Sequence, residues 1–160
     1  MRSEPTPAAT APAMAAVPER DLELLWYRLA ALRWRSLALV APGRPELASR
    51  LMERLLGAVG GARTTLLRGV DATRATPGRI GALCRALERS AARARRERVV
   101  VAAPSPAELP EARDLVAACD LTLLVLLRGE SRLPEVERTL AFMDRSQLLG
   151  AVLAHRLRGA

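Results

Sequence analysis

The sequence predicts a three-layer α/β/α domain of about five mostly parallel strands, with an extra N-terminal helix, and three observations predict it. Short apolar runs recur at residues 36–40, 64–67, 99–102, 121–127 and 149–153. Each is too short for a helix and too continuous for a strand with one wet face, as expected of strands covered on both sides. Helical patterns lie between the runs, and strand–helix alternation makes right-handed βαβ units. The 160 residues, 50% hydrophobic and 26% charged, suffice for one domain with its own core.

Residues 1–19 carry Arg2 and Glu4 and are broken by Pro5, Pro7, Pro12 and Pro18 where a signal peptide has its apolar stretch. They are expected to form a disordered Ala/Pro-rich tail on a cytoplasmic protein, leaving residues 20–160 as a single domain. Asp21 is the expected N-cap of a first helix ending near Arg35. One apolar row is Leu22, Leu25, Trp26, Leu29 and Leu32. A second, Leu24, Tyr27, Ala31 and Trp34, lies beside it, and three of the four aromatic residues of the chain fall here. Two apolar rows imply two partners for this helix. Further helices are expected over 45–59 (Leu47, Leu51, Leu55), 77–96 (Ile80, Leu83, Cys84, Leu87), 109–119 and 133–145 (Val136, Leu140, Met143).

All 25 basic residues are Arg, and 17 acidic residues leave a formal charge of +8. Cys84 and Cys119 are too few for a disulfide framework and are expected to be small core residues. No apolar stretch approaches the ~20 residues that cross a bilayer. Arg85, Arg89, Arg93, Arg95, Arg96 and Arg98 form a run that puts Arg85, Arg89, Arg93 and Arg96 along one helical face, whose ordinary reading is a solvated face. Anionic headgroups at the inner membrane are its next reading and nucleic acid the least favoured. His155 has no neighbour at metal-ligand spacing.

In a parallel sheet the ligand site belongs in the loops after the strands. After the first run comes Ala41-Pro42-Gly43-Arg44-Pro45-Glu46-Leu47-Ala48-Ser49-Arg50, a Pro/Gly turn opening a helix. A phosphate-binding loop needs several glycines, a Lys and a Ser or Thr beside it. This one has Gly43 alone, no Lys, and Ser49 out of context. The third run ends in Ala102-Ala103-Pro104-Ser105-Pro106, without a carboxylate to hold Mg²⁺ or orient water.

Over roughly residues 25–156 these elements resemble the cytoplasmic ATPase domain of bacterial tyrosine autokinases of capsule and exopolysaccharide synthesis. Those proteins have a P-loop NTPase fold with a deviant Walker A loop and are related to cell-division and plasmid-partition ATPases. The family's Pro-Gly-Glu-Gly-Lys-Ser falls on Pro45-Glu46-Leu47-Ala48-Ser49-Arg50. Its Leu-Leu-Ile-Asp-x-Asp falls on Leu66 to Asp71, keeping only Asp71. Its Walker B aspartate falls on Ala102. Asp114 to Asp120, followed by Leu121 to Val125, resembles its next helix, acidic residue and buried strand, and Leu149 to Ala154 resembles its Leu-Gly-Val-Val-Leu-Asn. Its oligomerisation helix corresponds to the Trp26–Arg33 region, where only Arg28 survives of the Arg motif. Its tyrosine cluster is reduced to Tyr27.

The resemblance implies a degenerate nucleotide loop (Pro42, Gly43, Arg44, Pro45, Ser49, Arg50), degenerate acidic positions (Asp71, Ala102, Asp120), and neither cofactor nor metal. It implies a non-catalytic accessory or regulatory protein of exopolysaccharide or capsule biosynthesis and export. Its partner would be a chain-length-determining membrane protein or a homologous kinase, with peripheral membrane association or oligomers as further expectations. The interface would be the cluster Trp26, Tyr27, Arg28, Arg33 and Trp34, residue types enriched at energetic centres of interfaces. Two alternatives stay open: a divergent but active nucleotide-binding tyrosine kinase or ATPase, with Arg44 or Arg50 replacing the lysine, and a partition-type DNA-associated protein.

Overall fold

The computed structural model describes residues 15–16, 18–59, 66–93 and 97–156. In chain order the elements are β1 (Ala15–Ala16), α1 (Glu19–Ala30), β2 (Ser36–Val40), α2 (Pro45–Val59), β3 (Leu66–Asp71), α3 (Pro77–Arg93), β4 (Glu97–Ala103), α4 (Ala112–Ala117), β5 (Leu121–Leu127), α5 (Leu133–Ala141) and β6 (Leu148–Arg156). The sheet runs β1-β6-β5-β2-β4-β3. Strands β2 to β6 are mutually parallel, and only the two-residue β1 pairs antiparallel, Ala15 with Arg156 and Ala16 with His155. The α/β class and its five parallel strands are those expected from the apolar runs.

After the edge strand β1 and helix α1 the chain enters the centre of the sheet at β2, moves outward to β3, then reverses through β4, β5 and β6. Right-handed crossovers travelling in opposite directions place their helices on opposite faces. Accordingly α1 and α2 cover one face, burying Leu22, Leu29, Leu47, Leu51 and Leu55 against Leu37, Leu39, Val100 and Val125. Helices α3, α4 and α5 cover the other, where Ile80, Leu115 and Val116 meet Ala38, Val40, Val101 and Leu124. Cys119 is buried in this second layer and Cys84 is half-buried at its edge. Desolvation pushes the Cys119 thiol up to about 12, so it stays protonated.

Several boundaries differ from the sequence expectation, each for a local reason. Helix α1 starts earlier than Asp21 because Pro18 is its N-cap: the Asp21 and Leu22 N–H groups donate to the Pro18 carbonyl at 2.9 and 3.1 Å. It also stops at Ala30, so Trp34 is not on the helix. The second strand is Leu66–Asp71 and runs past the expected end at Leu67; residues 64 and 65 lie outside the described residues. It is an edge strand, so it accommodates Arg68, which pairs with Glu97 at 3.8 Å. Its Gly69 leaves room for Met52 and Leu56 of α2, which crowd the position of a Cβ. Helices α4 and α5 are shorter than expected, and Met143 is buried from the turn after α5. Strand β6 is longer, reaching Arg156. Ala15 and Ala16, inside the expected tail, pair with the sheet, while residues 1–14 lie outside the described residues.

Candidate functional site: the loop after strand β2

The C-terminal ends of β2, β4 and β5 converge where the strand order reverses, the position at which parallel sheets bind ligands. The loop after β2 turns on Ala41, Pro42, Gly43 and Arg44, closed by an Arg44 N–H bond to the Ala41 carbonyl at 3.1 Å. Pro42 takes the second position and Gly43 the third with φ +70°, the residues a type II turn requires. Leu47 and Ala48 then bury the start of α2 against the sheet. The unit at this point of the sheet is therefore a strand, a tight turn and a helix.

Its contents are not those of a phosphate site. The Gly43 N–H donates to Glu108 Oε1 at 3.1 Å. The Glu135 carboxylate, from the first turn of α5, occupies the space that a side chain at residue 43 would need. The Arg44 guanidinium is engaged by the Glu130 carboxylate and lies 4.0 Å from Glu46. Three carboxylates, two from the loops after β4 and β5 and one from the first turn of α5, thus face the turn, which raises the electrostatic cost of bringing a polyphosphate there.

A buried hydroxyl pair fixes this arrangement. Thr139 of α5 donates to the Glu135 carbonyl at 2.9 Å, so its 2.8 Å bond to Ser105 takes the Ser105 proton. The Ser105 oxygen in turn accepts the Ala107 N–H at 3.3 Å. Both side chains are buried, and together they lock α5 onto the loop carrying Glu108.

Ser49 and Asp71 meet beside the loop. The Ser49 hydroxyl donates to Asp71 Oδ2 at 2.9 Å, while the Thr73 N–H and hydroxyl donate to Oδ1 at 3.0 and 2.6 Å. Partial burial raises the Asp71 pKa, but the Thr73 and Ser49 hydrogen bonds and the charge of Arg74 outweigh it and hold the carboxyl below its ordinary value. The cluster ties α2 to the end of β3. Ala102 is fully buried in β4, in register with Asp71 on one side and Leu39 on the other.

Asp120 does not belong with Asp71 and Ala102. It precedes β5 and so lies at the opposite end of the sheet, where its Oδ2 accepts the Arg35 and Ser36 N–H groups at 2.6 and 3.2 Å. Its own N–H donates to Ser36 Oγ at 3.0 Å. It staples the starts of two neighbouring strands. A cleft of about 440 Å³ lined by Arg113, Phe142, Asp144 and Gln147 also lies at that far end, away from the loop.

The expected aromatic interface divides in two. Trp34 is only 5% exposed; its Nε1–H donates to the Leu29 carbonyl at 2.7 Å, and its ring meets Trp26 edge-on at 6.2 Å between centroids. Arg98 stacks over that ring at 4.7 Å and donates to the Ala30 and Leu32 carbonyls at 3.5 and 3.3 Å. Trp34 and Arg98 therefore finish α1, a cation serving its negative C-terminal end. This takes Trp34 out of the interface, and Arg98, on β4, is engaged at the end of α1. Arg85 and Arg89 remain on the exposed side of α3; the side chains of 91–96 lie outside the described residues. What stays accessible on α1 is Leu24 at 47%, Tyr27 at 77% and Arg28, with Trp26 half-buried and Arg33 exposed beyond the helix end.

Sequence reasoning missed Glu108, Glu130 and Glu135. All three follow apolar runs, so the rule that sites gather after strands marks their loops, but their convergence on Gly43 depends on strand order. Among the described residues no group of three or more His, Cys, Asp or Glu side chains is placed to hold a metal ion, and no helix is long and apolar enough to cross a membrane. Comparison with family models, curated proteins and solved structures returns no significant match, so the fold and this loop carry the functional argument.

Proposed function

We propose that this chain is a non-catalytic accessory or regulatory protein with the scaffold of a P-loop ATPase, acting in exopolysaccharide or capsule assembly through protein contacts. The observation that supports it is the loop after β2, whose Gly43 N–H and Arg44 guanidinium are taken up by Glu108 and Glu130. Phosphoryl transfer depends on cationic neutralisation and positioning of phosphates. Here both the loop donor and the loop cation serve internal carboxylates instead. The membrane and polysaccharide parts of the reading rest on the resemblance.

The outer side of α1 is the contact surface in this reading. Leu24 and Tyr27 are spaced to lie together on the helix and are exposed, with Arg28 beside them. The partner is the cytoplasmic segment of a chain-length-determining membrane protein or a kinase homologue. The test is binding of each purified candidate to wild type and to Leu24→Asp/Tyr27→Ala. An aromatic centre worth about 2 kcal/mol predicts at least ~30-fold weaker binding with unchanged circular dichroism. Equal binding of wild type and variant, or no binding of either candidate by wild type, contradicts the proposal.

A further inference from the structure

The two edges of the sheet are protected very differently. Strand β3, at one edge, carries Arg68 with its side chain 69% exposed, and charge on an edge deters pairing with another chain. At the other edge, among the described residues, β1 pairs with β6 at His155 and Arg156 and no strand lies against Leu148 to Ala154 on that side. Leu148 to Ala154 has no charged residue and no proline. Leu149 and Leu153 are 42% and 51% exposed there.

The backbone of this stretch is oriented for pairing. The Ala154 carbonyl accepts the Arg128 N–H at 3.0 Å, so the polar groups of residue 154 point inward, toward β5. Strand alternation turns those of Leu153 and Ala151 outward, in phase with His155, which β1 already pairs. Leu149 is skipped by the β5 register, which passes from Thr122–Leu148 to Leu123–Gly150.

We propose that β6 pairs antiparallel with β6 of a second copy of this chain, about a two-fold axis at Ala151, joining the two sheets. In that register Ala151 exchanges both of its hydrogen bonds with its counterpart. Leu149 lies opposite the partner's Leu153, and Leu153 opposite the partner's Leu149. The residue sequence of the strand is thus complementary to its own reverse, as a two-fold contact requires. With the other edge guarded by Arg68, the pairing closes at a dimer and does not propagate. The proposal rests on the sheet edge alone and is independent of the function proposed above.

Sedimentation velocity on the full chain across a wide concentration range tests it. Wild type is expected to be a dimer. Leu149→Glu and Leu153→Arg each weaken dimerisation at least about 30-fold, because a symmetric contact carries each substitution twice. The double variant restores the dimer, since the carboxylate introduced at position 149 of one copy then faces the guanidinium introduced at position 153 of the other. Mixing the two single variants yields a heterodimer, which checks that each is folded and competent. A wild type that is monomeric throughout overturns the proposal, as do single variants that still dimerise or a folded double variant that stays monomeric.

Discussion

Trp34→Ala is expected to lower the stability of the domain by about 3–5 kcal/mol, and its melting temperature by about 10 °C. The indole is almost fully buried, so its removal leaves a cavity in the layer between α1 and the sheet. Three further contacts go with it: the Nε1–H bond to Leu29, the edge-on contact with Trp26 and the Arg98 stack. Trp34→Phe retains an aromatic ring for Trp26 and Arg98 and removes only the indole donor from the Leu29 carbonyl, which keeps the Leu32 N–H at 3.1 Å, and is expected to cost about 0.5–1.5 kcal/mol. Urea denaturation of both variants checks this. A melting point unchanged in Trp34→Ala would return the residue to the role of an exposed interface side chain.

Ala102→Asp is expected to be the most damaging single change, at least about 4 kcal/mol at neutral pH. It puts a carboxylate where the resembled ATPases carry one, yet here the site is closed. Residue 102 is fully buried between Leu39 and Asp71 in register, with the start of α2 packed over it. A buried, unpaired carboxylate beside an ionised one has its folded pKa raised above the unfolded value of about 3.9. The folded state then binds the extra proton, so the damage grows as pH rises through that interval and eases as pH falls toward the unfolded value. Ala102→Asn has similar bulk without the titration and should lack that pH dependence. Urea midpoints of the two variants at pH 4 to 8 decide it; parallel profiles would contradict the account.

The central strands are legible because burial on both faces leaves an unmistakable apolar run: the runs Leu121 to Leu127 and Val99 to Ala102 lie within three residues of the true strand ends. The edge is not, because β3 is covered incompletely and spends two of its positions on Arg68 and Asp71. The helix ends escape prediction where tertiary contacts set them. Nothing local in the sequence says that Trp34 turns back to Leu29, or that Arg98 arrives from β4 to cap α1. The same limit applies to the loop: Pro42, Gly43 and Arg44 announce a turn, and the missing lysine and glycines announce its loss of chemistry. That Glu108, Glu130 and Glu135 close it emerges only when β4 and β5 are placed on either side of β2. Asp120, grouped with Asp71 and Ala102 as an acidic position by the resemblance, lies at the other end of the sheet.

Calorimetric titration of Mg²⁺-ATP into the full chain is the most direct test of whether the loop after β2 has been closed by the protein's own carboxylates. No saturable heat is expected through the millimolar range, because the Gly43 amide and the Arg44 guanidinium are already engaged by Glu108 and Glu130. A saturable, Mg²⁺-dependent affinity in the micromolar range would contradict it.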